Sequence, residues 1–191
     1  MQNATRARDL VGLGQATVTL TTGRVDGSEM YRSAVVLAVA ALDSYVHGIV
    51  IDRSVDIILG KLPSGSFDRK IGLHFKAVFH IVSAASEGDM ELAAKTQVAQ
   101  RMSLETFQTP DDIAKALATV GIGRVWSTLF PTTAEAEKTK LSLVVRRRNA
   151  IAHQCDLDAI NPSSLTPMTD FDSLYSIEVV EKLVAAIDTL V

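Results

Sequence analysis

Leu141-Ser142-Leu143-Val144-Val145-Arg146-Arg147-Arg148-Asn149-Ala150-Ile151-Ala152-His153 is the stretch on which the reading of this chain turns. Its apolar residues recur at helical spacing. With Leu141 set at 0° and about 100° per residue, Val145 falls at about 40°, Ala152 at about 20° and Arg148 at about −20°. Arg148 therefore lies along an apolar stripe, where an always-charged guanidinium needs a partner, because burying it alone is costly. Two partners suit it: a buried acid such as Asp43, or a neighbouring subunit, since arginine is enriched at interfaces. On the same wheel Arg146, Asn149 and His153 fall at about 140°, 80° and 120°, on an adjacent face, while Arg147 and Gln154 point elsewhere.

The helix carrying this stretch opens at Thr133, with Glu135 and Glu137 first and the three arginines last, the charge order that a helix dipole prefers. A solvated helix end accounts for three arginines by itself. Downstream, residues 155–169, with Asn161-Pro162 and Pro167, read as a loop. A final amphipathic helix follows, carrying Ile177, Val180, Leu183, Val184, Ile187 and Leu190. Upstream, Thr109-Pro110-Asp111-Asp112 predicts a helix start that Gly121 closes. Residues 90–102 form another helix, and before it Ile71, Phe75, Val78, Phe79 and Val82 share one helical face that ends near Glu87-Gly88-Asp89. A long central helix runs from Ser28, read as its N-cap, to about residue 50, with Val35, Val39, Leu42, Val46 and Ile49 inward. Residues 52–59 continue it or form a short helix of their own, stopped by the turn Pro63-Ser64-Gly65-Ser66. Thr17 to Thr22 alternates threonine with Val18 and Leu20, which suits a short strand or an extended arm. The expectation is an all-α bundle: one domain over residues 28–191 behind an N-terminal arm, residues 1–27.

The 191 residues suffice for one domain burying roughly two-thirds of its unfolded surface. Hydrophobic residues at 47% and charged residues at 21% exclude a wholly disordered chain. The longest uncharged apolar run, residues 33–42, is about half of the roughly 20 residues a membrane span needs, which predicts a soluble protein without membrane contact. Cys155 stands alone and MQNATRARDL lacks the apolar core of a signal peptide, so a reducing cytoplasm is expected. The net charge of −3 conceals an asymmetry: residues 1–108 are neutral, 109–155 carry +3, and 156–191 carry −6. Positive charge gathers around the arginines. The acidic tail either screens them or is simply a solvated helix. His47, His74 and His80 have no metal-ligand spacing, so no metal or cofactor is expected. Cys155 has no base in any order that would make it a nucleophile. Gly12-Leu13-Gly14 and Gly121-Ile122-Gly123 lack a preceding strand and are read as loop glycines.

Arginine, then a polar residue, then a histidine five positions after the arginine, with small or apolar residues between, resembles the signature of the HEPN family (higher eukaryotes and prokaryotes nucleotide-binding). Here it reads Arg148-Asn149-Ala150-Ile151-Ala152-His153. The wider run is similar to the RiboL-PSP type of bacterial HEPN protein: Phe107-Gln108-Thr109-Pro110-Asp111-Asp112-Ile113-Ala114, then Gly121 and Trp126, then Arg147 through Asp156. The resemblance covers residues 28–191.

It implies a HEPN-like helical bundle with additional short helices, paired about a two-fold axis so that two motifs face each other. It further implies a metal-independent endoribonuclease without cofactor, in which a ribose 2′-hydroxyl attacks the adjacent phosphodiester and leaves 2′,3′-cyclic phosphate and 5′-hydroxyl ends. Histidine suits the proton transfer and arginine the charge on the phosphorane. On this likeness His153 moves the proton, Arg148 grips phosphate oxygens, and Asn149 orients His153 or the substrate. Arg146 and Arg147 hold the RNA backbone. Arg148 and His153 stand about 140° apart on an unbroken helix, so a two-fold pair of motifs, or a bend after Asn149, is needed for both to reach one phosphate. The partners implied are RNA, a second copy of the chain and an antitoxin protein; such enzymes commonly serve as toxins or antiphage effectors. The alternative within the family is a non-catalytic module binding RNA, nucleotide or a protein, and a third reading is a purely structural dimerising bundle. Some toxin members carry a tyrosine two residues after the histidine, where a nucleotidyltransferase modifies it. Cys155 stands there instead, so that form of control is not expected.

Overall fold

Eight α-helices and a closing 3-10 turn appear among the described residues, 2–63 and 71–191, of the computed structural model. They contain no strand; a lone β-bridge joins Leu157 and Leu165 within a loop. The expected all-α class is therefore what the chain adopts. Two compact units divide it: Met1–Leu42 with Thr132–Thr189, and Asp43–Pro131 with the last two residues.

The first unit holds α1 (Gln2–Leu20), the first half of α2 (Ser28–Ile58), α7 (Ala134–Gln154) and α8 (Asp170–Ile187). Residues 17–20, read as a strand or arm, are the end of α1, which packs on α8. Gly12 and Gly14 are likewise helical rather than loop glycines. At Gly14 a close approach requires glycine: a Cβ there would stand 2.5 Å from the Tyr31 ring, and one on Gly27 would stand 2.6 Å from the Gly14 carbonyl oxygen. Ser28 is the first residue of α2 rather than its cap, and Asp26 accepts from both the Ser28 N–H and its hydroxyl. Val35, Val39 and Leu42 of α2, Leu141, Val144 and Val145 of α7, and Ile177, Val180, Leu183 and Ile187 of α8 are all buried and supply the core of this unit. At the start of α8, Thr169 and Asp172 close a reciprocal capping box, worth about 1 kcal/mol.

Glu137, only 8% exposed, takes the Lys182 ammonium of α8 at 2.9 Å and the Lys140 ammonium at 2.9 Å. Those donors, Lys182 first, hold its carboxyl below the ordinary value of 4.5. A carboxyl depressed in the folded state contributes stability that is present above its unfolded pKa and is lost as pH falls through the folded one. Glu137→Gln is therefore expected to cost about 1 kcal/mol near neutral pH. It should also flatten the loss of stability below pH 4.5, as read by urea unfolding at a series of pH values. An acid limb of unchanged steepness would contradict this.

The second unit holds the rest of α2 with α3 (Phe75–Val82), α4 (Glu87–Met102), α5 (Pro110–Thr119) and α6 (Val125–Leu129). Residues 52–58 continue α2 without a break. Ser64, Gly65 and Ser66 of the expected turn lie outside the described residues. In α3 the inward face is Ala77 and Ile81, packed with Val55 and Ala94, not the expected face: Phe75 is 96% and Phe79 66% exposed. Nearly every residue of this short helix is apolar, so the periodicity carried no contrast. Glu87-Gly88-Asp89 opens α4 rather than ending a helix, because the Ser86 hydroxyl accepts from the Asp89 N–H and the acids favour the positive end of the dipole. Thr109 caps α5 as expected, through the Asp112 N–H. The short helix α6 places Trp126 to donate to the Pro110 carbonyl at 2.9 Å. His47 is a partly buried side chain, its ring nitrogens 2.8 and 3.1 Å from the carbonyls of Asp43 and Met102 and its ring on Phe107.

By length and composition α2 is apolar enough to cross a membrane, a property hidden when only the uncharged run 33–42 is counted. Ala34, Val35, Ala38, Val39, Leu42, Val46 and Val50 form its fully buried face, and 44% of its most apolar stretch is buried within the protein.

Candidate functional site

The end of α7 is built by its C-terminal lock. Cys155 and Asp156 both adopt left-handed backbone, φ 52° and 53°, and both of their N–H groups donate to the Ala150 carbonyl. Two consecutive non-glycine residues in this region cost of order 1–3 kcal/mol each and persist only where their surroundings demand it. The demand comes from the Asp156 carboxylate, 1% exposed. Arg32 of α2 donates through Nε to Oδ2 at 2.7 Å, and Arg147 of α7 donates through Nη2 to the same oxygen at 2.9 Å. Arg147 Nη1 also lies 2.9 Å from Oδ1, at ion-pair distance but outside hydrogen-bonding alignment. Arg32, itself only 4% exposed, further donates to Ser28 Oγ, Glu29 Oε1 and the Thr166 carbonyl. Arg147 adds the carbonyls of Thr166 and Pro167, so the loop 155–169 is strapped back onto the helices.

This changes the part expected of Arg147. It is spent on Asp156 and on the loop rather than presented to an RNA backbone. Arg146, the other residue expected to touch RNA, is exposed, as are Asn149 and His153. These three occupy one face of the helix, Arg146 three residues before Asn149 and His153 four after it, the spacings at which helical side chains are neighbours.

Arg148 is partly buried, as its place on the apolar stripe requires, and its Nε is buried without a hydrogen-bond partner. No acid and no backbone carbonyl among the described residues pairs with it. Asp43, one candidate partner, accepts instead from the Phe107 N–H and the Gln108 amide. Among the described residues its one hydrogen bond is from Nη1 to Asn149 Oδ1 at 3.0 Å. That bond turns the guanidinium toward the face shared by Asn149 and His153. The helix is continuous through Gln154, so His153 still stands about 140° and roughly 7.5 Å along the axis from the Arg148 backbone. Arg148 and Asn149 are brought together; His153 is on the same exposed side without a bond to either.

A planar cation with unused donors beside an imidazole can bind a phosphate and move a proton. Three of the acids that follow have partners of their own. Asp158 accepts from the Ile160 and Asn161 N–H groups of its own loop, Asp170 from Gln15, and Glu181 from Arg8. Arg32 and Asp156, which sequence reasoning gave no part, were detectable by the argument applied to Arg148: Arg32 lies one turn before Val35 on the apolar stripe of α2 and so required an acid. No family model, curated protein or solved structure matches the chain.

Proposed function

We propose that this chain is a metal-independent endoribonuclease of HEPN type, acting as a two-fold homodimer of HEPN-like bundles in the cytoplasm and serving as a toxin or antiphage effector held in check by an antitoxin protein. The observation that carries the reading is Arg148: a half-buried guanidinium with no anionic partner among the described residues, its Nε unsatisfied, drawn by Asn149 toward the face that carries His153. A group so placed destabilises the fold unless an anion reaches it, and a phosphodiester is an anion whose oxygens match its fork. In the reaction the ribose 2′-oxygen attacks phosphorus as His153 takes its proton. Arg148 and Asn149 hold the phosphorane, the bond to the 5′-oxygen breaks, and that oxygen takes a proton from solvent, to which the exposed His153 returns the one it took. Arg146 contributes to backbone affinity from the same face. With about 140° between Arg148 and His153 on a continuous helix, the arginine of one subunit and the histidine of the other serve one phosphate.

The test is a mixed RNA pool incubated with the pure protein and chelator, with the new ends mapped. Cutting that survives the chelator and leaves cyclic phosphates is expected. A folded protein that binds the RNA and leaves it intact would replace this reading with the non-catalytic binding module.

A further inference from the structure

A cavity of about 390 Å³ lies in the second unit between α3 and α4, within the range of small-molecule sites. Its wall brings together His74, Lys76 and His80 from the start and one side of α3 and Arg101 from the last turn of α4, with no carboxylate lining it among the described residues. Lys76 and His80 are four residues apart on α3 and so are neighbours. His74 holds the N-cap position of α3 and makes no side-chain cap, which leaves the positive end of that helix without a side-chain acceptor. Arg101 uses Nη1 for Glu105 at 2.8 Å, which leaves other guanidinium donors for a ligand. Leu73 and Leu104 complete the wall with apolar surface, and Gln97 and Gln100 add neutral donors.

From this convergence we propose that the cavity binds a small organic phosphate, its phosphoryl group held by Lys76, His80 and Arg101 and its organic part lying against Leu73 and Leu104. Phosphate suits the wall better than a carboxylate does. It is a tetrahedral dianion that accepts donors from several directions at once, as donors on two helices require, whereas a carboxylate is a planar monoanion. The cavity and the arginine cluster of α7 belong to different units, so this proposal does not depend on ribonuclease activity.

The experiment is calorimetric titration of the full chain with phenyl phosphate, inorganic phosphate and benzoate. Phenyl phosphate is expected to bind with a Kd of about 0.1 mM or tighter, inorganic phosphate several-fold more weakly, and benzoate not measurably. Lys76→Ala and Arg101→Ala are each expected to weaken phenyl phosphate at least about tenfold. His80→Ala should do so to a lesser degree, with helical circular dichroism unchanged. Absence of saturable binding, benzoate binding equal to that of phenyl phosphate, inorganic phosphate binding as tightly as the ester, or affinity indifferent to Lys76→Ala and Arg101→Ala would each overturn the proposal. His153→Ala is expected to leave the titration unchanged, so the failure of either reading is visible apart from the other.

Discussion

Asp156→Ala is expected to cost about 3–5 kcal/mol of folding stability. The carboxylate is 1% exposed and faces two guanidinium groups, one of them, Arg32, only 4% exposed. Truncation leaves that charge buried with Glu29, itself largely exposed, as its one directly paired acid among the described residues, and Asp26 beyond the Ser28 hydroxyl. It also removes what holds Cys155 and Asp156 in left-handed backbone, and alanine tolerates that region less well than aspartate. Asp156→Asn keeps an oxygen for Arg32 and the tolerance of left-handed backbone, so its loss should be smaller. Urea unfolding followed by circular dichroism measures both; a loss below about 1 kcal/mol for the alanine variant would show that the pair is replaceable by water. The Arg32→Met, Asp156→Asn double variant provides the second check, because removing both charges removes the unpaired one. Its loss is expected to fall short of the summed single losses by at least about 1 kcal/mol.

This pair also shows how far the chain could be read before its structure. Positions governed by contrast between apolar and polar neighbours were legible: the stripe Val35, Val39, Leu42 on α2, the Thr109 cap of α5, and Ile177, Val180, Leu183 and Ile187 of α8 are where periodicity and capping place them, whereas Val184 is half-buried and Leu190 falls in the 3-10 turn past the helix. Positions governed by a partner distant in sequence were not. Ser28 looks like a cap, but Asp26 satisfies the helix start and Ser28 Oγ is taken by Arg32. Gly14 looks like a loop residue because nothing nearby says that α1 must pass against Gly27. The α3 face was misread where six of eight residues are apolar, since a pattern without polar positions has no phase. At the candidate site, the wheel placed Arg148 on the stripe and Arg146, Asn149 and His153 on an exposed face. It could not tell which arginine is neutralised, because Asp156 reaches Arg147 only through the left-handed turn that follows the helix.

Arg148→Ala and His153→Ala are each expected to lower RNA cleavage by at least about a hundredfold, the range for loss of a charge-stabilising or proton-transferring group. The stability of the two variants separates a functional arginine from a structural one. A buried arginine that supports the fold leaves a broken network when removed, whereas Arg148 has an unsatisfied Nε and no acid partner among the described residues. Its removal should therefore leave the urea midpoint unchanged or raise it, the trade between stability and function that active sites show. A loss above about 2 kcal/mol would mean that Arg148 serves the core and that the ribonuclease reading has lost its main support. Mixing the two inactive variants tests how the site is assembled. If Arg148 of one subunit works with His153 of the other, random exchange makes half of the dimers mixed, each with one intact site of two, and about a quarter of the natural activity returns. If both residues act within one chain, the mixture stays inactive, and the about 140° between them must be closed by the reach of the Arg148 side chain around Asn149.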